Sequence, residues 1–279
     1  MKPISFQILG IGCWGPGFQN WSQLQSILSE TNLDTTSEES QSDISKGPKP
    51  EIIPANERRR APLPVRLAVE SSWQACQHAN IAPESLASVF VSGIGDTQLT
   101  DYMCKALVGE SKALSPTKFH NSVHNAAAGY WTISTGCMQA ANSVAGFQEA
   151  VSLALMEALL QCQIEGKPIL ITFYDAPSST VLKELLKNET AFSASIIIGP
   201  ADTSPDAQNY QATISNGAYQ WPNFKSTQPL EECYNNNPAA KLLPLLHAFA
   251  HRDANTMQSI TMPLSSERHL SISAEPQAT

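Results

Sequence analysis

The chain has 279 residues, of which 42% are hydrophobic, and a formal net charge of −8 at pH 7. This length allows one large globular core or two small ones. The acidic balance disfavours nucleic acid and anionic membranes as main partners, because both attract cationic surfaces. No apolar run reaches the roughly 18 residues of a membrane-spanning helix.

The N-terminus and the cysteines point to a reducing compartment. The start, MKPISFQILGIGCWGPG, is a poor signal peptide, because glycine and proline break its short apolar run. The six cysteines are scattered and include no CxxC pair. Such spacing favours reduced, buried thiols over a disulfide framework. We therefore expect a cytoplasmic protein.

The first part of the chain alternates between strand and helix patterns. The elements predicted here are a strand at 4–9, a turn in GIGCWGPG, a helix at 20–29, a helix from 62 to about 80, a strand at 87–93 and a helix at 96–108. Asp96 or Thr97 is expected to cap the last of these helices. Residues 30–56 are polar, acidic and interrupted by proline, which predicts a long flexible surface loop.

The same alternation continues to the end of the sequence. The elements predicted here are a helix at about 120–135, a strand at 141–146, a helix at 148–164, strands at 168–174, 192–199 and 209–215, a short helix at 179–187, a polar loop at 216–238, a helix at 239–250 and a hairpin within 256–274. Strand–helix alternation with some antiparallel strands predicts an α/β fold layered around one mixed sheet.

Gly10, Gly12 and Gly15 have the GxGxxG spacing of a dinucleotide-binding turn. A nucleotide-binding fingerprint also needs a helix that opens at the third glycine and an acidic residue at the end of a second strand. Pro16 interrupts the helix start, and the downstream acids lie in the loop-like tract. The pattern therefore favours a structural turn after the first strand.

Residues 115–148, SPTKFHNSVHNAAAGYWTISTGCMQAANSVAGFQ, carry a family resemblance. Their landmarks are Ser115-Pro116, Asn125, Ala128-Gly129, Thr132-Ile133 and Gly136. In this order and spacing they resemble the segment of β-ketoacyl synthases that leads into the nucleophilic cysteine. SGIG at 92–95 and the glycine turn match further landmarks, so the resemblance covers roughly residues 4–199.

The resemblance implies a fold and a domain organisation. It implies a thiolase-like layered mixed sheet, in which the chain forms a single ketosynthase-like half. We expect one domain over residues 1–279. Its core, 1–199, includes the loop at 30–56, and residues 200–279 form a short C-terminal extension.

At the family's spacing, the position of the nucleophile falls on Gln148. A glutamine amide cannot form an acyl thioester, for which a thiolate is needed. The resemblance therefore implies a non-catalytic subunit without cofactor or metal, similar to the short chain length factors of aryl polyene-type systems. Its implied partners are a full-length β-ketoacyl synthase, in a heterodimer, and an acyl carrier protein. The ketosynthase would act on phosphopantetheine-bound acyl chains.

The resemblance also implies an interface with that partner. In the family, the helix after SGIG and the segment that follows it lie at the dimer interface and border the partner's acyl tunnel. The residues so implicated are Gln98, Thr100, Asp101, Met103, Cys104, His120, His124 and Asn125. The alternative for the helix at 96–108 is ordinary amphipathic packing on the sheet, and both can hold on different faces.

Two further patterns leave alternatives open. Arg58, Arg59 and Arg60 form a charge run that is usually a solvated surface, and a docking patch for an acidic carrier protein is the second interpretation. His120 and His124 have the i, i+4 spacing of zinc ligands on a helix. However, the zincin pattern has glutamate where Asn121 stands, so structural imidazoles are favoured.

Cys137 offers a different class of function. With His120 or His124, its thiol could serve a stand-alone acyltransferase or hydrolase. The family's spacing places Cys137 before the nucleophile strand, which favours a buried packing role. A scaffold that only recruits carrier protein is a third hypothesis.

Overall fold

The computed structural model describes residues 2–29, 47–204, 207–251 and 259–275. The strands are β1 (Ile4–Trp14), β2 (Ala87–Val91), β3 (Ala141–Val144), β4 (Ile169–Asp175), β5 (Phe192–Pro200), β6 (Tyr210–Asn216), β7 (Ile260–Ser265) and β8 (Arg268–Ala274). The helices are α1 (Trp21–Ser29), α2 (Ala55–Arg58), α3 (Leu63–Ala79), α4 (Thr97–Val108), α5 (Pro116–His120), α6 (Ala126–Thr135), α7 (Ala150–Glu165), α8 (Lys183–Leu186), α9 (Gln228–Asn236) and α10 (Leu243–Ala250).

The eight strands form one sheet in the order β3-β2-β4-β5-β1-β6-β8-β7. β2 pairs in parallel with β3 and β4, whereas β5 runs antiparallel to both β4 and β1. The other neighbours, β1 with β6, β6 with β8 and β8 with β7, are antiparallel. This mixed sheet with helices confirms the predicted α/β class, and it places the short strand β3 at one edge.

Each face of the sheet carries its own hydrophobic core. Ile169, Ile171 and Phe173 of β4 join a core with α7 and α10, whereas the alternate residues Leu170 and Tyr174 join a core with α3 and α6. Side chains of a strand point alternately to opposite faces, so a strand with helices on both sides is apolar throughout. Burial on both faces explains the continuous apolar run from which the strand at 168–174 was predicted.

The turn predicted in GIGCWGPG begins later than expected, because β1 runs through Gly10 and Gly12 to Trp14 and a tight turn joins Gly15 to Phe18. A Cβ atom on Gly10 would lie 2.4 Å from the Ala75 carbonyl oxygen of α3, and one on Gly12 would lie 2.2 Å from that of Ser71. The two glycines therefore let the backbone of α3 lie directly on β1. Their role is close helix–strand packing.

Three other element predictions need correction. The helix expected at 120–135 begins only at Ala126, as α6, and a turn separates it from α5, which ends at His120. The polar loop expected at 216–238 contains α9, whose buried residues are Leu230, Cys233 and Tyr234. The short helix expected at 179–187 covers only Lys183–Leu186.

Other expectations hold or lie outside the described residues. Asp96 caps α4, since its side chain accepts a hydrogen bond of 2.9 Å from the Leu99 amide. The C-terminal hairpin is formed by β7 and β8. Of the loop expected at 30–56, residues 30–46 lie outside the described part of the chain, and α2 occupies 55–58. No helix in the described part is long and apolar enough to span a membrane.

Candidate functional site

The turn between β3 and α7, residues 145–149, is called the elbow below. It contains the position predicted for the nucleophile, Gln148, which is half-buried. Phe147 has a φ of +50°, a left-handed conformation that is uncommon for an aromatic residue. Its side chain is 43% exposed. The elbow thus has a constrained backbone and presents an amide and a phenyl ring, without a thiol.

A segment from the C-terminal part of the chain covers the elbow. A Cβ atom on Gly93 would lie 2.4 Å from the Pro238 Cβ and 2.9 Å from the Phe147 carbonyl oxygen, so these three residues meet at one point. Pro238 begins a short 3-10 helix, Pro238–Leu242, in which all five residues are buried. From the other side, the Ser152 hydroxyl donates to the Pro263 carbonyl of β7. The backbone of the elbow is therefore held by segments from the C-terminal part of the chain.

The carboxylate of Asp175, at the end of β4, connects the covering 3-10 helix Pro238–Leu242 to the sheet. It accepts hydrogen bonds from the Ser92 hydroxyl at 2.6 Å, the Gly93 amide at 3.1 Å and the Ile94 amide at 3.2 Å. It also accepts one from the Ala239 amide at 3.1 Å, in the covering 3-10 helix. Burial raises the pKa of Asp175 to about 6, while the four hydrogen bonds act in the opposite direction.

Asn237 adds a second connection between the cover and the sheet. Its side-chain amide donates to the Asp175 carbonyl at 3.2 Å and to the Thr190 carbonyl at 3.0 Å. Neither Asn237 nor Asp175 was singled out in the sequence. The available signal was a carboxylate directly after the apolar run ILITFY, because a charge that ends a buried strand needs hydrogen-bond donors.

Helix α4 carries five of the predicted interface residues. Thr97 and Leu99 are buried against the protein. Gln98, Thr100 and Cys104 are exposed, whereas Asp101 and Met103 are half-buried. The helix therefore packs with one face and leaves another open, as both alternatives for this helix require.

The predicted histidine pair does not lie on one helix. His120 is the last residue of α5, whereas His124 and Asn125 lie in the turn before α6, so the helical i, i+4 interpretation is wrong. All three are exposed, and the His124 Nε2 lies 3.1 Å from the Val144 carbonyl oxygen at the end of β3. No group of three or more metal-ligating side chains occurs in the described part of the chain.

Large apolar side chains are exposed beside the edge strand β3. On one side of the sheet they are Phe119, Val123, Ile133 and Met138, with exposed fractions from 52% to 93%. On the other side Leu153, Leu160 and Ile164 form a stripe along α7. The Asn142 amide of β3 donates to Glu157 of α7 at 3.0 Å and so places this stripe next to the edge.

We call this set of residues, together with β3, the β3 edge face. Because large apolar patches and open sheet edges both favour association, the β3 edge face has the character of a protein interface.

Cys137 is buried and is not part of the β3 edge face. Its thiol is buried and donates to the Leu86 carbonyl at 3.3 Å. The ten residues of α6 separate it from His124, which corresponds to about 15 Å at 1.5 Å per residue. This placement agrees with packing and puts the thiol out of hydrogen-bond reach of His124.

The three arginines have different environments. The Arg58 guanidinium is half-buried and donates to the Pro50 carbonyl at 3.2 Å. Arg59 and Arg60 are exposed, and Arg60 forms a long ion pair of 3.5 Å with Glu57. Arg60 also lines a cleft between α3 and α4.

The sequence and the fold both have known relatives. The family model described as beta-ketoacyl synthase, N-terminal domain, matches residues 30–263. No curated protein sequence matches the chain. A structure of the ketosynthase ApeO in complex with its chain length factor ApeC, from Xenorhabdus doucetiae, matches with a TM-score of 0.69 at 15% identity. This match covers 96% of this chain and 99% of that one.

Two further structures agree with this match. AntDE:AntF, a type II polyketide synthase acyl-carrier protein in complex with its ketosynthase, gives a TM-score of 0.71 at 11% identity, over 98% of this chain and 100% of that one. A ketosynthase from module 1 of the bacillaene synthase of Bacillus amyloliquefaciens FZB42 gives a TM-score of 0.57 at 12% identity. There the match covers 80% of this chain but only 48% of the other. These likenesses show the thiolase-like ketosynthase fold that the resemblance implied.

Proposed function

The chain belongs to the family of β-ketoacyl synthase N-terminal domains, and from this premise we propose that it is a non-catalytic chain length factor. In this proposal it pairs with an active β-ketoacyl synthase in fatty acid or polyketide biosynthesis of the aryl polyene type. The ketosynthase performs the decarboxylative condensation, and this chain shapes the tunnel that receives the growing acyl chain. It needs no cofactor of its own for this role.

The elbow without a nucleophile is the observation that carries the proposal. An acyl-transferring nucleophile must be a thiolate or hydroxyl that the acyl thioester can reach. Gln148 provides neither, and residues 145–149 contain no cysteine, serine or threonine. Such an elbow is consistent with a subunit that keeps the fold of a ketosynthase and leaves the chemistry to its partner.

The β3 edge face supports a protein partner. It combines an open strand edge with large exposed apolar side chains on both sides of the sheet. The structure of ApeO with ApeC is, by its title, a ketosynthase in complex with its chain length factor. We propose a heterodimer of the same kind for this chain, with α4, His120, His124 and Asn125 at or near the contact.

The second proposed partner is an acyl carrier protein. The AntDE:AntF structure is titled as a complex of a ketosynthase with its acyl-carrier protein. In a chain with a net charge of −8, the exposed side chains of Arg59 and Arg60 form a local cationic patch with Arg58. An acidic carrier protein would be attracted to this patch.

Co-expression with a ketosynthase encoded nearby tests the proposal. We expect a stable 1:1 complex that condenses acyl- and malonyl-carrier protein, whereas this chain alone gives no condensation product. A chain that stays a well-behaved monomer by light scattering and binds no co-encoded ketosynthase would contradict the pairing. Full condensing activity of this chain alone would contradict the non-catalytic role.

A further inference from the structure

A cleft of about 360 Å³ lies between the start of α3 and the first turns of α4. Its volume is within the range of small-molecule sites, about 300–1,000 Å³. The lining combines apolar side chains with two cationic ones, Arg60 and Lys118. The apolar lining is formed by Pro62, Leu63, Pro64, Leu99, Tyr102, Ala176 and Pro177. The site is distinct from the elbow and shares no residue with it.

The two cations are available to a ligand. The Lys118 ammonium lies 3.5 Å from the centroid of the Tyr102 ring, so an aromatic face, and no carboxylate, is its described contact. Arg60 has one ion pair, 3.5 Å long, with Glu57, and both of these side chains are more than half exposed. An exposed pair of this length contributes little stability, so it competes weakly with a bound anion.

The lining of the cleft also contains one acidic side chain, Asp96. Asp96 is also part of a smaller adjoining cleft of about 140 Å³, which contains neither Arg60 nor Lys118. Its carboxylate is engaged by the Leu99 amide at 2.9 Å. The anionic end of a ligand thus belongs at Arg60 and Lys118.

We propose that the α3–α4 cleft binds an amphipathic carboxylate. The carboxylate contacts Arg60 and Lys118, because guanidinium and ammonium groups are the donors that bind carboxylates most strongly. The apolar or aromatic body of the ligand lies among Leu63, Leu99 and Tyr102. All lining residues belong to this chain, and because α4 is also a proposed contact with the ketosynthase, binding is measured on the chain without a partner.

Calorimetric titration of the full chain with 4-phenylbutyrate tests the proposal. We expect saturable binding of 4-phenylbutyrate, and at least tenfold weaker binding of two matched probes. The amide 4-phenylbutyramide lacks the charge, and butyrate lacks the ring. If the amide binds as well as the acid, the cations are not part of the site. Equal binding of butyrate shows a simple anion site, which also overturns the proposal.

Substitutions of single cationic side chains show where 4-phenylbutyrate binds. Arg60→Ala and Lys118→Ala should each weaken 4-phenylbutyrate binding at least tenfold, whereas Arg59→Ala, one residue away and outside the cleft lining, should change it less than twofold. Arg60 and Lys118 are exposed, so their truncation leaves the core intact, and unchanged melting temperatures check this. Equal losses in all three variants, or none, would overturn the proposal.

An acidic carrier protein is another source of carboxylates for the same cations. Carrier protein that binds through Arg60 and Lys118 while 4-phenylbutyrate does not bind at all would mean that the cleft is a docking surface, and would overturn the small-molecule site. The outcome is separate from the pairing with a ketosynthase, which is measured by co-purification.

Discussion

The elbow and the β3 edge face lie next to each other and are opposite in character. At the elbow, Pro238 packs against Gly93 and the Phe147 backbone, and the buried carboxylate of Asp175 has four hydrogen-bond donors. At the β3 edge face, Ile133 and Met138 are 81% and 93% exposed, and β3 has no outer neighbour among the described strands. The elbow is thus held by internal contacts, whereas the β3 edge face leaves apolar side chains open to solvent.

The largest expected effect concerns catalysis at the elbow. The purified chain should give no condensation product from acyl- and malonyl-carrier protein, and Gln148→Cys should not restore it. A cysteine there would lack a free imidazole base, because the nearby His124 contacts the Val144 carbonyl oxygen. Product analysis by mass spectrometry measures the result.

The control for this experiment is the complex with the ketosynthase. It should be active with wild-type chain and equally active with Gln148→Cys, because the partner supplies the nucleophile. Turnover by the Gln148→Cys chain without a partner would show that the elbow is open, and the contrast between the two regions would then be lost.

The second largest effect is expected at the β3 edge face. Ile133→Asp should weaken the complex with the ketosynthase at least about 30-fold, since a buried interface residue of the strongest class contributes about 2 kcal/mol or more. Titration calorimetry or analytical ultracentrifugation measures this. Val181→Asp is the matched control, because Val181 is 68% exposed but lies on the loop after β4.

Equal losses in the two variants would mean that a general change of charge weakens the complex. An unchanged affinity of Ile133→Asp would place the ketosynthase elsewhere on the molecule.

A third effect tests the polar network behind the elbow. The pKa of Asp175 is about 6 in the folded chain, compared with 3.8 for the free group. The folded state therefore binds the proton more tightly, so this group favours folding below about pH 4, and its contribution is lost as the pH rises through 6. At 1.36 kcal/mol per pKa unit, the loss is about 3 kcal/mol.

Denaturant unfolding at pH 4.5 and 7 measures this contribution for wild type and Asp175→Asn. Other carboxylates change with pH in both proteins, so the difference between the two pH dependences isolates Asp175. Asp175→Asn should abolish the part of the decrease in unfolding free energy between pH 4.5 and 7 that comes from Asp175. Asp101→Asn, in α4, is the control and should leave that part unchanged. Parallel pH profiles of wild type and Asp175→Asn would show that the carboxylate ionises normally in the folded state.

The contrast between the regions also explains what the sequence could predict. The apolar run of β4 and the alternating pattern of the C-terminal hairpin could be predicted from short stretches of sequence, because burial imposes a pattern on neighbouring residues. The donors of Asp175 lie 64 to 83 residues away along the chain, so no local pattern reveals the network. Gly10 and Gly12 resembled a turn because their packing partner, α3, begins about 50 residues later and is not visible in the local sequence.

The helix α9 and the open face of α4 differ in how clearly the sequence indicates them. The buried residues of α9 have helical spacing, but they lie among asparagine, glutamate and proline in a segment of low hydrophobicity. The exposed positions of α4 followed from the family resemblance, because amphipathic spacing alone cannot tell a free face from a covered one.

The smallest expected effect concerns product length. If α4 borders the partner's tunnel, Thr100→Phe should shorten the product by filling tunnel volume, and Met103→Ala should lengthen it. Gln98, Thr100 and Met103 point in different directions around the helix, so substitutions at the three should not act alike. Overpacking typically costs about 1–3 kcal/mol, which is enough to change a length distribution several-fold without altering the chemistry in the other subunit.

Mass spectrometry of products from the reconstituted pair measures the distribution. Thr100→Ser is the matched control, since it retains the hydroxyl that donates to the Asp96 carbonyl at 3.0 Å and adds no volume. The total rate should stay near that of wild type, because the steric limit acts on the end of the acyl chain and the nucleophile belongs to the partner. Unchanged lengths with Gln98→Phe, Thr100→Phe and Met103→Ala, in an intact complex, would mean that α4 does not measure the chain, and the subunit would then serve as a scaffold.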